Sequence, residues 1–264
     1  MIDISRKPRL RVDGLTVGYG DVIVQRDVSF EVAVGSIFAI MGGSGSGKST
    51  LLRSMIGLLR PTAGSVHVGD EDYWSADEER REQIDQGFGV LFQSGALWSS
   101  MTVIENVALP LRELSILDEQ SIISLSRIKL ALVGLGASSD AMPAELSGGM
   151  VKRAGLARAL ALDPAILFLD EPSSGLDPIT GKRLDDLIRE LRDGFGMTVV
   201  MVSHDLPSLF GICDDGIFLD ADTKTAIAHG APRSLRDDCK HPTVHAFMHR
   251  ETLTSDPIPP KAPT

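Results

Sequence analysis

The sequence predicts an α/β protein built on a parallel sheet with crossover helices, and three observations predict it. Strand-like and helical segments alternate along the chain. The core strand candidates, Ile37 to Met41, Ala165 to Leu169 and Thr198 to Val202, are apolar at successive positions, as strands covered on both faces must be. A Gly-rich segment, Gly42 to Thr50, lies between the first of these strands and a helical stretch.

The remaining elements follow in order. Short strands are predicted at Leu10 to Leu15, at Ile23 and Val24, and at Val28 to Val34. Helical spacing runs from Thr50 to Leu59. Pro61-Thr62-Ala63-Gly64 is a turn, and Ser65 to Val68 alternates like a strand. Residues 76–86 are mostly charged and suit an exposed helix, with Asp77-Glu78-Glu79 at the end where acids match the helix dipole. A strand from Phe88 to Phe92 ends at Gln93. The pattern from Val103 to Leu135 is helical with a break predicted at Pro110, and Gly148 to Leu160 and Ile179 to Leu191 are further helices.

Composition narrows the class. The 264 residues suffice for a sizeable core, and 43% hydrophobic with 23% charged residues is ordinary globular usage, which excludes a disordered body. A formal net charge of −10 argues against nucleic acid as a partner, since that affinity comes from a basic face. Apolar runs such as Ala165 to Leu169 fall far short of the roughly 20 residues that span a bilayer. Met1 to Lys7 has no apolar stretch behind its charges and does not read as a signal peptide. Cys213 and Cys239 are isolated from each other. These features predict a soluble, cytosolic-type protein.

Gly42-Gly43-Ser44-Gly45-Ser46-Gly47-Lys48-Ser49-Thr50 fits G-x-x-x-x-G-K-[ST] between a buried strand and a helix, where a phosphate cradle belongs. Glycines let consecutive backbone N–H groups converge on phosphate oxygens without Cβ clashes. The helix terminus adds partial positive charge, Lys48 reaches the β- and γ-phosphates, and the Ser49 hydroxyl suits Mg²⁺. Asp170-Glu171 ends the strand Ala165 to Leu169. Asp170 is the expected Mg²⁺ partner, and Glu171, one residue nearer the γ-phosphate, is the expected acceptor or orienter of the attacking water. A third motif, Leu146-Ser147-Gly148-Gly149-Met150, opens the helix at Gly148 with Ser147 as N-cap. It is a second anion-binding helix terminus in a chain already furnished with one, and its natural ligand is the nucleotide of another copy.

With these motifs in order, the chain from about Leu10 to Gly230 resembles the nucleotide-binding subunits of ABC transporters. The resemblance implies a P-loop α/β core, an N-terminal antiparallel β-subdomain and a helical insertion from about Ser94 to Leu162, in one domain over residues 8–250. It implies ATP and Mg²⁺ as cofactors, with two copies closing head to tail over two nucleotides, each held between one P-loop and the other copy's Ser147, Gly148 and Gly149. Tyr19 stands where the family has its adenine-stacking aromatic. Gln93 matches the glutamine that senses Mg²⁺ and the lytic water and touches the membrane subunit. Ser174-Gly175-Leu176-Asp177 resembles the loop that communicates across the dimer, and His204 the histidine on the γ-phosphate. Met150 departs from the usual Gln, and a thioether donates no hydrogen bond.

That signature, followed by Val151-Lys152-Arg153, together with Phe92 to Leu97 and Met101-Thr102-Val103, is similar to the ATPases of Mla/Mce-type phospholipid transporters. This implies lipid traffic between inner and outer membranes, driven from the cytoplasmic face of the inner membrane through an integral permease. A small STAS-type subunit and a periplasmic Mce-domain protein are the further partners implied. An ordinary small-solute importer or exporter is the alternative.

Three weaker signals remain. His241, His245 and His249 follow i, i+4, i+8 spacing, but no carboxylate or cysteine completes a metal set nearby, and Val244, Phe247 and Met248 explain the helix better as a docking element. Tyr73 and Trp74 read as a turn without chemistry. Residues 251–264, with four prolines, read as an extended tail serving assembly.

Overall fold

The computed structural model describes residues 9–251; the predicted tail, apart from Glu251, lies outside the described residues. The chain opens with β1 (Leu10–Tyr19) and β2 (Val22–Val32), then β3 (Ile37–Gly42) and α1 (Lys48–Met55). Next come β4 (Ala63–Val68), β5 (Glu71–Asp72), α2 (Glu78–Asp85) and β6 (Phe88–Leu91). Three helices follow: α3 (Val103–Leu114), α4 (Glu119–Leu132) and α5 (Gly148–Ala159). The chain then alternates through β7 (Ile166–Asp170), α6 (Pro178–Phe195), β8 (Thr198–Val202) and α7 (Leu206–Ile212). It closes with β9 (Asp215–Leu219), β10 (Ala226–His229), α8 (Pro232–Asp238) and α9 (Pro242–His249).

The strands form a four-stranded antiparallel sheet in the order β2-β1-β4-β5 and a six-stranded sheet in the order β10-β9-β3-β8-β7-β6. The latter is parallel except for β10, which pairs antiparallel on the edge. Continuous apolar runs mean what they predicted. In β3, Phe38 and Ile40 join a core shared with the antiparallel sheet and α1, while Ile37, Ala39 and Met41 join the core beneath the helices. Phe30 and Phe38 stack across the first of these layers with centroids 5.0 Å apart.

Two expectations need correction. The helix from Val103 is not broken at Pro110, which lies inside α3. A capping box between Thr102 and Glu105 fixes its start. Buried Asn106 bonds Trp98, Met101 and Thr102, and Val103, Val107, Ala108 and Leu111 pack in the core. That packing outweighs the roughly 3 kcal/mol that an interior proline costs. The break comes instead at Ser115, and Asp118 caps the new start. The short strands predicted near the N-terminus are two long ones. Gly14 (φ 54°) and Asp27 (φ 49°) sit at register shifts where an extra residue interrupts the alternation that sequence patterns rely on.

The weaker signals also find their places. Asp77 caps α2, accepting from the Arg80 N–H. Tyr73 is buried with its hydroxyl donating to Asp85, and the Trp74 indole donates to the Ser54 carbonyl. In α9, Val244 and Met248 are buried against the core, while the rings of His245 and His249 stack 4.1 Å apart on the outside.

Candidate functional site

The loop between β3 and α1 is shaped by close approaches that only glycine allows. At Gly42 (φ 146°) a Cβ would lie 2.4 Å from the Leu219 carbonyl oxygen of neighbouring β9. At Gly47 (φ 81°), the left-handed residue that precedes α1, it would lie 2.6 Å from Val24 Cγ1. Lys48 folds back over the loop, its ammonium donating to the carbonyls of Gly42 (2.9 Å) and Gly43 (2.8 Å). Burial lowers its pKa, and the carboxylates of Glu171 and Asp170 oppose that shift. The loop is also clamped from behind. Fully buried Gln25 of β2 donates from one amide nitrogen to the carbonyls of Ser46 (2.8 Å) and Asp220 (2.9 Å).

Across from the loop stand the ends of β7 and β8. The Ser49 hydroxyl donates to Asp170 Oδ1 over 3.1 Å, and burial raises the Asp170 pKa while that bond lowers it. Glu171 holds a left-handed φ of 49°, rare for a residue with a side chain, and its N–H donates to the Val202 carbonyl of β8. Its carboxyl is buried. Oε1 lies 2.6 Å from Nδ1 of His204, which follows β8, and Oε2 has no hydrogen-bond partner among the described residues. The Gln93 amide, just past β6, reaches Ser174 Oγ at 3.4 Å.

Lys48, Ser49, Gln93, Glu171 and His204 face one cavity of about 510 Å³, which Gly43, Ser44, Gly45, Gly47 and Thr50 also line. Asp170 is not in the lining and meets the site through Ser49. Gly42 and Ser46 lie beneath it in the loop. The hydroxyl of Ser49 and the carboxylate of Asp170 make a hard oxygen pair that fits a divalent cation such as Mg²⁺. Tyr19 does not line the cavity. It ends β1, half-exposed, with its hydroxyl accepting from Arg53 at 3.0 Å, a bond that lowers its pKa. Ser147, Gly148 and Gly149 are elsewhere too. Ser147 caps α5 and, with Gly149, borders a separate cavity of about 360 Å³ shared with Arg153 and Arg183.

Four residues escaped the sequence reading. Val24 and Phe247 line the main cavity, the latter edge-on to Phe218 at 5.0 Å. Gln25 is the clamp. Lys152 of α5 is buried and donates to the main-chain carbonyls of both Gln93 and Glu171. Its signal was a lysine in line with Gly149 and Leu156 on the buried face of a helix.

The fold and site define a P-loop nucleotide-binding protein. The family model described as ABC transporter matches residues 25–174. The intermembrane phospholipid transport system ATP-binding protein MlaF of Escherichia coli is 41% identical over 244 residues, covering 92% of this chain and 89% of that protein. The probable ribonucleotide transport ATP-binding protein mkl of Mycobacterium tuberculosis is 44% identical over 197 residues, covering 75% of this chain and 55% of that longer protein. Among solved structures, the dimeric post-hydrolysis state of the ATP-binding cassette MJ0796 bound to ADP and Pi aligns with TM-score 0.76 and 28% identity, covering 83% of this chain and 97% of that one. The cbiO1 protein of Clostridium perfringens, part of the ABC transporter complex cbiONQ, aligns with TM-score 0.80 and 26% identity, covering 88% and 92%. The chain belongs to the ABC transporter family.

Proposed function

We propose that this chain is the ATP-hydrolysing subunit of a transporter that moves phospholipids between the inner and outer membranes. The convergence of Lys48, Ser49, Gln93, Glu171 and His204 on one cavity carries the hydrolytic part of this reading. The phosphates of ATP lie along Gly43 to Thr50, and Lys48 exchanges its bonds to the loop's own carbonyls for bonds to phosphate oxygens. Ser49 and Asp170, with Gln93 nearby, would hold Mg²⁺, which would neutralise charge on the phosphates. Glu171, which lines the cavity, accepts the proton of the attacking water. His204, tied to Oε1 of that carboxylate, fixes its orientation and presents its far nitrogen to the γ-phosphate. Tyr19 turns from Arg53 to stack on the adenine.

Each copy offers Ser147 and the N–H groups of Gly148 and Gly149 to the nucleotide of a second copy, so the working unit is a homodimer. None of the helices among the described residues is long and apolar enough to cross a membrane. In this reading, which rests on the likeness to MlaF, the dimer works through an integral permease, peripheral to the cytoplasmic face of the inner membrane. A STAS-type subunit and a periplasmic Mce-domain protein complete the proposed assembly.

The lipid substrate rests on the likeness to MlaF over nearly its whole length. The same alignment level with mkl, a protein named for ribonucleotide transport, keeps a small-solute transporter as the second reading. Reconstitution of the chain with its permease in vesicles separates them. ATP-dependent exchange of labelled phospholipid into acceptor vesicles is expected. ATP-dependent uptake of a labelled ribonucleotide without lipid exchange would assign the second reading instead.

A further inference from the structure

The helix α5 carries Ser147 at its start, and five residues on it carries Lys152, whose side chain runs inward until it is only 5% exposed. A buried ammonium needs acceptors. Lys152 finds two, and both are main-chain carbonyls of residues that line the cavity: Gln93 just past β6 and Glu171 just past β7, the latter at 3.0 Å. These two strands are paired neighbours, so a single cation ties their ends together from the side of α5. The Glu171 bond matters most because that peptide is held in the sparsely populated left-handed region, which persists only where surrounding contacts over-determine it. The carbonyl of Glu171 accepts from Lys152 and from Ser174 N–H (3.2 Å), while its N–H is fixed by Val202. Arg158, farther along α5, bonds the carbonyls of Gly95 and Ala96, so the helix also grips the segment just after Gln93. Lys152 alone on α5 reaches both Gln93 and Glu171 among the bonds described.

We propose that Lys152 is a positioning residue for hydrolysis. Through its two carbonyl bonds it sets the backbone of Glu171 and Gln93, and it makes their geometry depend on where α5, and therefore Ser147, is held. It touches neither nucleotide nor water. Displacement of α5 by a nucleotide at Ser147 is transmitted through one side chain to the hydrolytic carboxylate of the same chain. This rests on the ATPase reading given above.

The test separates chemistry from binding. In the purified full-length chain, Lys152→Met removes charge and donors at similar length. It is expected to bind ATP within about threefold of the parent while kcat falls about 10²-fold, the loss typical when a supporting shift misplaces a reacting group by an ångström. Lys152→Arg keeps a long cation with several donors and is expected to recover activity to within about tenfold of the parent. If Lys152→Met does not fold, Lys152→Gln, which removes the charge and shortens the reach but keeps a neutral amide donor group, carries the same expectation. A folded neutral variant with kcat within about twofold of the parent overturns the proposal. So does a loss of turnover matched by an equal loss of ATP affinity, or an arginine variant no better than the methionine one. A parent chain that hydrolyses no ATP sinks the ATPase reading along with this one. A parent that hydrolyses ATP, loses activity in Glu171→Gln and keeps it in Lys152→Met sinks the role of Lys152 alone.

Discussion

The chain has two glycine-rich helix entrances, and they are equipped for different halves of one task. At α1 the entering residue is Gly47 in a left-handed conformation with no side-chain cap, and the loop wraps a buried lysine. At α5 the entering residue is Ser147, exposed, whose hydroxyl accepts from the Met150 N–H as an ordinary N-cap does. Carboxylates stand opposite the first: Asp170 on Ser49, Glu171 across the cavity. The cavity beside the second is bordered by Arg153 and Arg183, with no carboxylate among the described residues that line it. An entrance with carboxylates can hold a cation and take up a proton. One with Ser147 at a helix start and two arginines beside it suits an anion. In the function proposed above, hydrolysis belongs to α1, and α5 clasps a nucleotide bound by another copy.

The strongest way to break this division is at Glu171. Glu171→Gln keeps shape and hydrogen bonding but removes the proton acceptor, so turnover is expected to fall by about 10²-fold or more with ATP binding intact. Phosphate release and equilibrium nucleotide binding on the same preparation check both halves. Wild-type turnover would take the carboxylate out of the chemistry.

The assignment of α5 to a partner's nucleotide is broken or kept by mixing. Lys48→Ala disables the first entrance and Ser147→Arg the second, so each variant alone is expected to be inactive. Random pairing puts both defects in one composite site of each heterodimer and leaves its other site whole, returning about a quarter of the parental rate. Heterodimers that form, bind ATP and stay inactive would mean that one intact site is not enough.

How much of this contrast could be read in the sequence depended on periodicity. The strands β3, β7 and β8 announced themselves because both faces are covered and their runs are apolar apart from Thr198 at the start of β8 and Asp170 at the end of β7, which located the phosphate loop, Asp170, Glu171 and His204. Gln25 could not be found that way. Counting back by twos from Val32, Phe30 and Val28 puts Arg26 inside and Gln25 outside. The irregularity at Asp27, where two residues of β1 face three of β2, reverses the two. Pro110 misled for the opposite reason, since a strong local signal lost to packing. Phe247 reaches the cavity from the C-terminal helix, a contact with no local trace.

Gln25 supplies the next test, because it clamps the first entrance from behind. Gln25→Leu fits an apolar interior but leaves the Ser46 and Asp220 carbonyls short of a donor. A loss of about 1–3 kcal/mol in unfolding free energy is expected for each carbonyl left unpaired, with weaker ATP binding. The buried Gln25 carbonyl oxygen, itself unpartnered, is removed in the exchange and offsets part of this. Denaturant unfolding and nucleotide titration measure the two effects. Unchanged ATP affinity would show that the loop holds its shape without the clamp.

The smallest effect sharpens the contrast through pH. Asp185 of α6 is buried and accepts from Ser208 of α7, and Ser208 also bonds Asp205, the cap of α7 that directly follows His204. Burial pushes the Asp185 carboxyl up to about 6, against the opposing Ser208 bond. The folded chain thus binds this proton more tightly than the unfolded chain, where the value is 3.8. Stability is then highest below the unfolded value, declines as pH rises from 3.8 to about 6, and is flat above. Asp185→Asn keeps an acceptor for Ser208 without the charge and removes this slope. The variant is expected to gain stability over the parent near pH 7 and to lose that advantage near about pH 4. Urea midpoints at the two pH values decide it. The support under His204 belongs to the first entrance only, so ATP hydrolysis by the variant should keep a flatter acid limb while complementation through Ser147 stays as before. A stability difference independent of pH would mean that Asp185 is already neutral or well solvated, and the acid sensitivity of the first entrance would need another source.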